Sequence, residues 1–111
     1  MLTYAAIVFA IAALGGATLA YMRIVKKDVS MPLALAHGLL AATGLVLLTI
    51  GVTRTGGTGL TVALAAFIIA ALGGFTTFSF HLRSRPLPIP LVVIHGGAAV
   101  VAFLILLVTV L

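Results

Sequence analysis

Two histidines, His37 and His95, stand 58 positions apart in a chain of 111 residues. Each follows a proline by five positions and is followed directly by glycine: Pro32 with His37-Gly38, Pro90 with His95-Gly96. An imidazole can ligate a metal, carry a proton or hydrogen-bond across a helix interface. Little else in the chain can do chemistry. There is no Cys, Asp28 is the only acid, and the third histidine, His81, abuts a basic run. Disulfides, thiolate metal sites and carboxylate pairs are thereby excluded. No nucleophile has a base within a recognisable motif, and no phosphate-binding loop occurs, so a soluble enzyme is excluded as well. Zinc, copper or non-porphyrin iron would want three or four ligands, and Met1, Met22 and Met31 all fall near helix ends.

The elements that must position these histidines are membrane spans. Hydrophobic residues make up 64% of the chain and charged residues 6%, too few polar groups to cover a water-facing surface. A span needs roughly 20 apolar residues to cross a hydrocarbon core of about 30 Å. Residues 2–22, 31–53, 60–80 and 88–110 qualify, and none has a charged residue in its interior. Pro32 and Pro90 fall in the first turn of their helices, where a missing N–H costs nothing. The first span lacks a basic leader and is too long for a signal peptide, so it is expected to be retained.

The net charge of +5 does not point to nucleic acid, because the cations occupy short loops between apolar runs. Arg23, Lys26 and Lys27 precede the second span, Arg83 and Arg85 precede the fourth, and Arg54 alone follows the second. By the positive-inside rule, loops 23–30 and 81–87 are expected in the cytoplasm and both termini outside, in a bacterial inner membrane.

Shifted by 58 positions, the chain matches itself without a gap. Ile11-Ala12-Ala13-Leu14-Gly15-Gly16 is identical to Ile69-Ala70-Ala71-Leu72-Gly73-Gly74, Phe9 meets Phe67, Thr18 meets Thr76, Pro32-Leu33 meets Pro90-Leu91, and His37-Gly38 meets His95-Gly96. The chain therefore reads as two hairpin repeats, 1–58 and 59–111, in one all-α four-helix membrane domain. Each repeat holds an even number of spans, so the copies are parallel and related by an axis along the membrane normal.

That axis places His37 and His95 at one depth, roughly 7–8 Å below the cytoplasmic helix ends. An imidazole facing lipid there is expensive, so both are expected to face the interior. Gly38, Ala41 and Gly44 follow His37, and Gly96, Ala99 and Ala102 follow His95, with Gly15-Gly16 and Gly73-Gly74 only slightly deeper. Two imidazoles on opposite sides of a two-fold axis suit a haem b held between the second and fourth helices, with His37 and His95 as the metal ligands. Gly15, Gly16, Gly73, Gly74, Gly38, Gly96, Ala41 and Ala99 would leave room for the porphyrin, and Arg23, Arg83 and Arg85 would meet its propionates. Lys26, Lys27 and His81 stand at the same membrane face. The chain would then carry electrons rather than act as an enzyme in its own right. Candidate partners are the lipid bilayer, a quinone, other membrane redox subunits and further copies of the chain. The competing expectation is helix packing alone, in which small residues permit close approach and a histidine bridges an interface. That would make the chain a structural or accessory subunit of a larger membrane complex.

The arrangement resembles the small four-helix b-type membrane cytochromes, in which paired histidines on neighbouring helices hold haem. The resemblance implies one-electron transfer, with a quinol or as a relay for a partner enzyme. It departs from the larger di-haem cytochromes of the b561 type, which use four intramembrane histidines. A second likeness lies in Gly73-Gly74-Phe75-Thr76-Thr77-Phe78-Ser79-Phe80, which is similar to the Gly-Gly-x-Thr-Thr-Phe-Ser-Thr-Phe motif of small four-span fluoride channels. That resemblance implies a break in the third helix and makes Thr76, Thr77, Phe78, Ser79 and Phe80 pore residues. The pore asparagine of that family is absent here. Small multidrug exporters share the length but depend on an intramembrane carboxylate, which this chain lacks.

Overall fold

The computed structural model describes Met1–Leu111 as four helices: α1 (Leu2–Ile24), α2 (Met31–Thr55), α3 (Thr58–Leu82) and α4 (Ile89–Val110). All four are long and apolar enough to cross a membrane. They form a ring in which α1 packs on α2 and α4, and α3 on α4 and α2, most extensively within the hairpins α1–α2 and α3–α4.

The helices run about two residues past three of the expected span boundaries, through Ile24, Thr55 and Leu82, and α3 begins at Thr58 rather than Leu60. Charge marks where the hydrocarbon ends, whereas the hydrogen-bond ladder continues until the backbone turns. For α1 and α3 that point is a left-handed residue, Lys26 (φ 60°) and Ser84 (φ 53°). Lys27 N–H reaches back to Met22 and Lys26 N–H to Arg23; Arg85 and Ser84 repeat these bonds to Phe80 and His81. Both are Schellman closures, which satisfy orphan carbonyls at a helix end. Gly56 and Gly57 (φ 71° and 101°) make the tight turn between α2 and α3, a conformation that side chains rarely adopt. The fourth helix starts at Ile89 because Pro88 is its extended N-cap.

Seven of the 13 buried residues are Ala or Gly and the rest Leu or Phe, while many bulky side chains lie on the exterior. Ala5, Ala12, Ala63, Ala70 and Ala102 are buried, as are Gly44 and Gly51. Ile7, Leu14, Leu39, Val46, Leu72, Phe75 and Val108 are exposed. Lipid is as apolar as leucine, so burial of large side chains gives no advantage there, and close helix approach over small residues holds the bundle.

Each diagonal of the ring is bridged by one pair of rings. Phe9 of α1 stacks on Phe67 of α3 with centroids 3.8 Å apart and planes within 5°. The stack sits among Leu48, Leu106, Ala5, Ala63, Leu60 and Ala102. These buried positions are themselves pairs at the 58-residue spacing: Ala5 and Ala63, Phe9 and Phe67, Ala12 and Ala70, Leu48 and Leu106.

A reciprocal clasp closes the bundle at the end carrying the basic loops. Arg23 Nε donates to the Leu87 carbonyl (2.6 Å), and His81 Nε2 donates to the Val29 carbonyl (3.1 Å). Arg23 and His81 occupy equivalent positions, as do Val29 and Leu87, so each hairpin holds the other's loop. A hydrogen bond from a charged donor contributes about 1.5–3 kcal/mol. Arg23→Ala is expected to destabilise the bundle towards the lower end of that range, since Arg23 is only half-buried. Arg23→His, which copies the second hairpin, should recover most of the loss; denaturation in mixed detergent followed by circular dichroism measures both.

Candidate functional site

The second diagonal is bridged by His37 and His95. Each is the seventh residue of its helix, about 9 Å along the axis from the helix start at 1.5 Å per residue. The ring centroids are 6.1 Å apart and the planes lie at 79°.

Each imidazole is held from one side by the neighbouring helix of its own hairpin. His37 Nδ1 is 2.7 Å from the Ala12 carbonyl oxygen, and His95 Nδ1 is 2.7 Å from that of Ala70. A carbonyl can only accept, so Nδ1 must carry the proton in both rings, and each neutral ring then keeps its lone pair on Nε2. Neither Nε2 has a hydrogen-bond partner within the protein, and neither is sealed off as a buried, unsatisfied atom.

The glycine pairs seat these rings. A Cβ on Gly16 would come within 2.9 Å of His37 Cε1, and one on Gly74 within 3.0 Å of His95 Cε1; Gly15 and Gly73 lie against the Cβ atoms of the same histidines. Gly15, Gly16, Gly73 and Gly74 therefore lie directly against the imidazole side chains. Ala41 and Ala99 are half-buried one turn deeper. Gly38 is exposed, and a Cβ on Gly38 or Gly96 would meet nothing within 4 Å. Being adjacent to the histidine turns a residue about 100° round the helix, so Gly38 does not share its face.

Of the three arginines expected near the site, Arg23 is held in the clasp. Arg83 folds along its own helix, with its guanidinium 4.7 Å over the Phe80 ring and Nε on the Ser79 carbonyl (3.2 Å). Arg85 is exposed. His81, engaged with Val29, lies apart from the histidine pair.

The stretch resembling the fluoride channels is laid out otherwise than that resemblance implies. The third helix is unbroken from Thr58 to Leu82. Thr76 and Thr77 hydroxyls donate to their own helix at Leu72 and Gly73, and Ser79 to Thr76. The Phe9–Phe67 stack and the buried Leu48 and Leu106 fill the axis beyond the histidines.

A bis-imidazole metal centre requires two lone pairs on opposite sides of one atom. Metal–imidazole bonds of about 2.0–2.1 Å, with the ring radius added on each side, put the two centroids roughly 6 Å apart. The observed centroids are 6.1 Å apart, with the rings edge to face. The backbone bond at Nδ1 is the outer support that fixes tautomer and orientation in metal-ligating histidines. Small residues of α1 and α3, Ala12, Gly16, Ala70 and Gly74, stand beside the two rings. The backbone acceptors Ala12 and Ala70 escaped the sequence reading because a carbonyl has no residue-type signature. The identical blocks 11–16 and 69–74 were the available signal.

The fold defines a polytopic all-α membrane protein of four spans, in which His37 and His95 meet edge to face. Comparison with protein-family models, curated proteins and solved structures finds no match to the chain.

Proposed function

We propose that the protein is an integral membrane electron carrier in which His37 and His95 ligate a single haem b between α2 and α4. The observation that supports this reading is a pair of imidazoles, one from α2 and one from α4, each anchored at Nδ1, with Nε2 unpartnered within the protein and ring centroids 6.1 Å apart. An imidazole nitrogen without a partner is costly inside a membrane, and no donor in the chain supplies one. Haem iron held in this way exchanges one electron without changing its ligands.

The chain's own residues perform three tasks in this reading. The carbonyls of Ala12 and Ala70 hold both imidazoles in the ligating tautomer. Gly15, Gly16, Gly73 and Gly74 let α1 and α3 approach the rings. The Phe9–Phe67 stack and the leucines beyond it exclude water from the far side. The recurrence of buried residues, clasp and histidine bonds at one 58-residue spacing supports hairpins 1–58 and 59–111 as parallel copies. The cation bias supports loops 23–30 and 81–87 in the cytoplasm and the termini outside, with the haem nearer the cytoplasmic face of a bacterial inner membrane.

The test is an absorption spectrum. The protein, expressed with haem available and purified in mild detergent, should show a Soret band that shifts and sharpens on dithionite reduction, with resolved α and β bands. A folded, colourless preparation that also fails to take up added haemin rejects the reading and leaves the structural-subunit alternative.

A further inference from the structure

The longest dimension of the protein, loops included, is 42 Å, and a bilayer with its headgroup layers is about 40–45 Å thick. The loops therefore do not project beyond the membrane; they end in the headgroup layer. At one end that layer receives five of the six Lys and Arg residues, against the single acid Asp28.

Two of those five cations have protein partners. Arg23 is committed to the Leu87 carbonyl and Arg83 to Ser79 and the Phe80 ring. Lys26, Lys27 and Arg85 are exposed and free of such bonds. Lys27 and Arg85 are equivalent in the two repeats, so free cations stand on both sides of the bundle. Below them the surface is apolar and open: Tyr21, Ile24, Leu82 and Ile89 are all exposed. A cation at headgroup depth above an acyl-facing surface matches an anionic phospholipid, phosphate over hydrocarbon. A soluble acidic protein would have to reach into the headgroup layer to touch the same groups.

We propose that Lys26, Lys27 and Arg85 bind the headgroups of anionic phospholipids, so that the protein retains an anionic lipid shell at this face. This rests on charge and depth alone and is independent of haem. The experiment equilibrates the purified full-length protein with mixed vesicles of phosphatidylcholine and phosphatidylglycerol, re-isolates it in mild detergent, and counts bound lipids by native mass spectrometry. The wild type should retain phosphatidylglycerol in excess of the bulk ratio. The triple variant Lys26→Gln, Lys27→Gln, Arg85→Gln should lose that preference, by about fivefold for each cation at a membrane surface. Arg54→Gln, at the opposite end, should leave it unchanged. If the triple variant loses helical signal, Lys27→Gln and Arg85→Gln are read singly, each with the same fivefold loss. A wild-type ratio equal to bulk, or neutralised variants that keep the preference, overturns the proposal. So does release of the retained lipid by inorganic phosphate at constant ionic strength, which would show a site for free anions instead.

Discussion

If the proposed haem centre is right, His37→Ala and His95→Ala should each abolish its spectrum, whereas His81→Ala should retain it. Under the proposed haem reading, each of the first two substitutions would remove one of only two ligands, leaving no redundancy. His81 also points a ring nitrogen at a carbonyl, but that carbonyl belongs to Val29 in a loop of the other hairpin, so its loss weakens the clasp and leaves the histidine pair in place. Alanine at 37 or 95 also removes a ring packed on two glycines and a 2.7 Å bond, so lost colour could reflect lost structure. Added imidazole separates the two. It can refill the space over Gly15-Gly16 or Gly73-Gly74 and should restore a low-spin spectrum to His37→Gly or His95→Gly, which it cannot do for a collapsed bundle. Rescue at neither position, in variants that keep wild-type circular dichroism, would count against both residues as ligands.

Phe9→Ala should cost about 3 kcal/mol, and Gly44→Leu about 1–3 kcal/mol, yet the double variant should cost less than the two together. The estimate for Phe9 takes the lower end of the 3–5 kcal/mol seen for buried phenylalanine, because in lipid the lost ring forfeits packing but little transfer from water. Gly44 faces that ring closely: a Cβ there would lie 2.8–2.9 Å from three of its carbons. Phe9 cannot retreat, since Phe67 stacks on its other face at 3.8 Å, and overpacking of such a site costs about 1–3 kcal/mol. Leucine at 44 with alanine at 9 exchanges the large and small partners across one interface, and at least half of the summed loss should return. Unfolding in mixed detergent gives all three values; strict additivity would mean the two sites do not share the space the geometry assigns them. The second repeat has Ala102 where the first has Gly44, so the stack is not seated identically on both sides.

Much of this architecture was legible in residue order. Four apolar runs separated by short charged or glycine-rich loops require four spans, because a hydrocarbon solvent admits only helices with satisfied backbones or closed barrels. Identity at one 58-residue register brought His37 with His95 and Phe9 with Phe67, since equivalent residues of parallel copies share a depth. Helix ends were less legible: hydropathy reports the membrane boundary, while Lys26 and Ser84 in left-handed backbone decide where the helices stop. The function of the glycines was the least legible. Composition shows that Gly16, Gly38 and Gly74 are small but not what each is small for.

Chain order alone therefore determined the four spans, the repeat and the common depth of two imidazoles, all of which follow from hydrophobic length and internal identity. Only the tertiary structure decided that Ala12 and Ala70 hold those imidazoles by their carbonyls, that Gly16 and Gly74 make room for them, that Gly38 looks outward, and that Arg23 and His81 clasp opposite loops. These are backbone acceptors, angular positions and close approaches between helices, and they exist only once the helices have chosen their neighbours and their rotation.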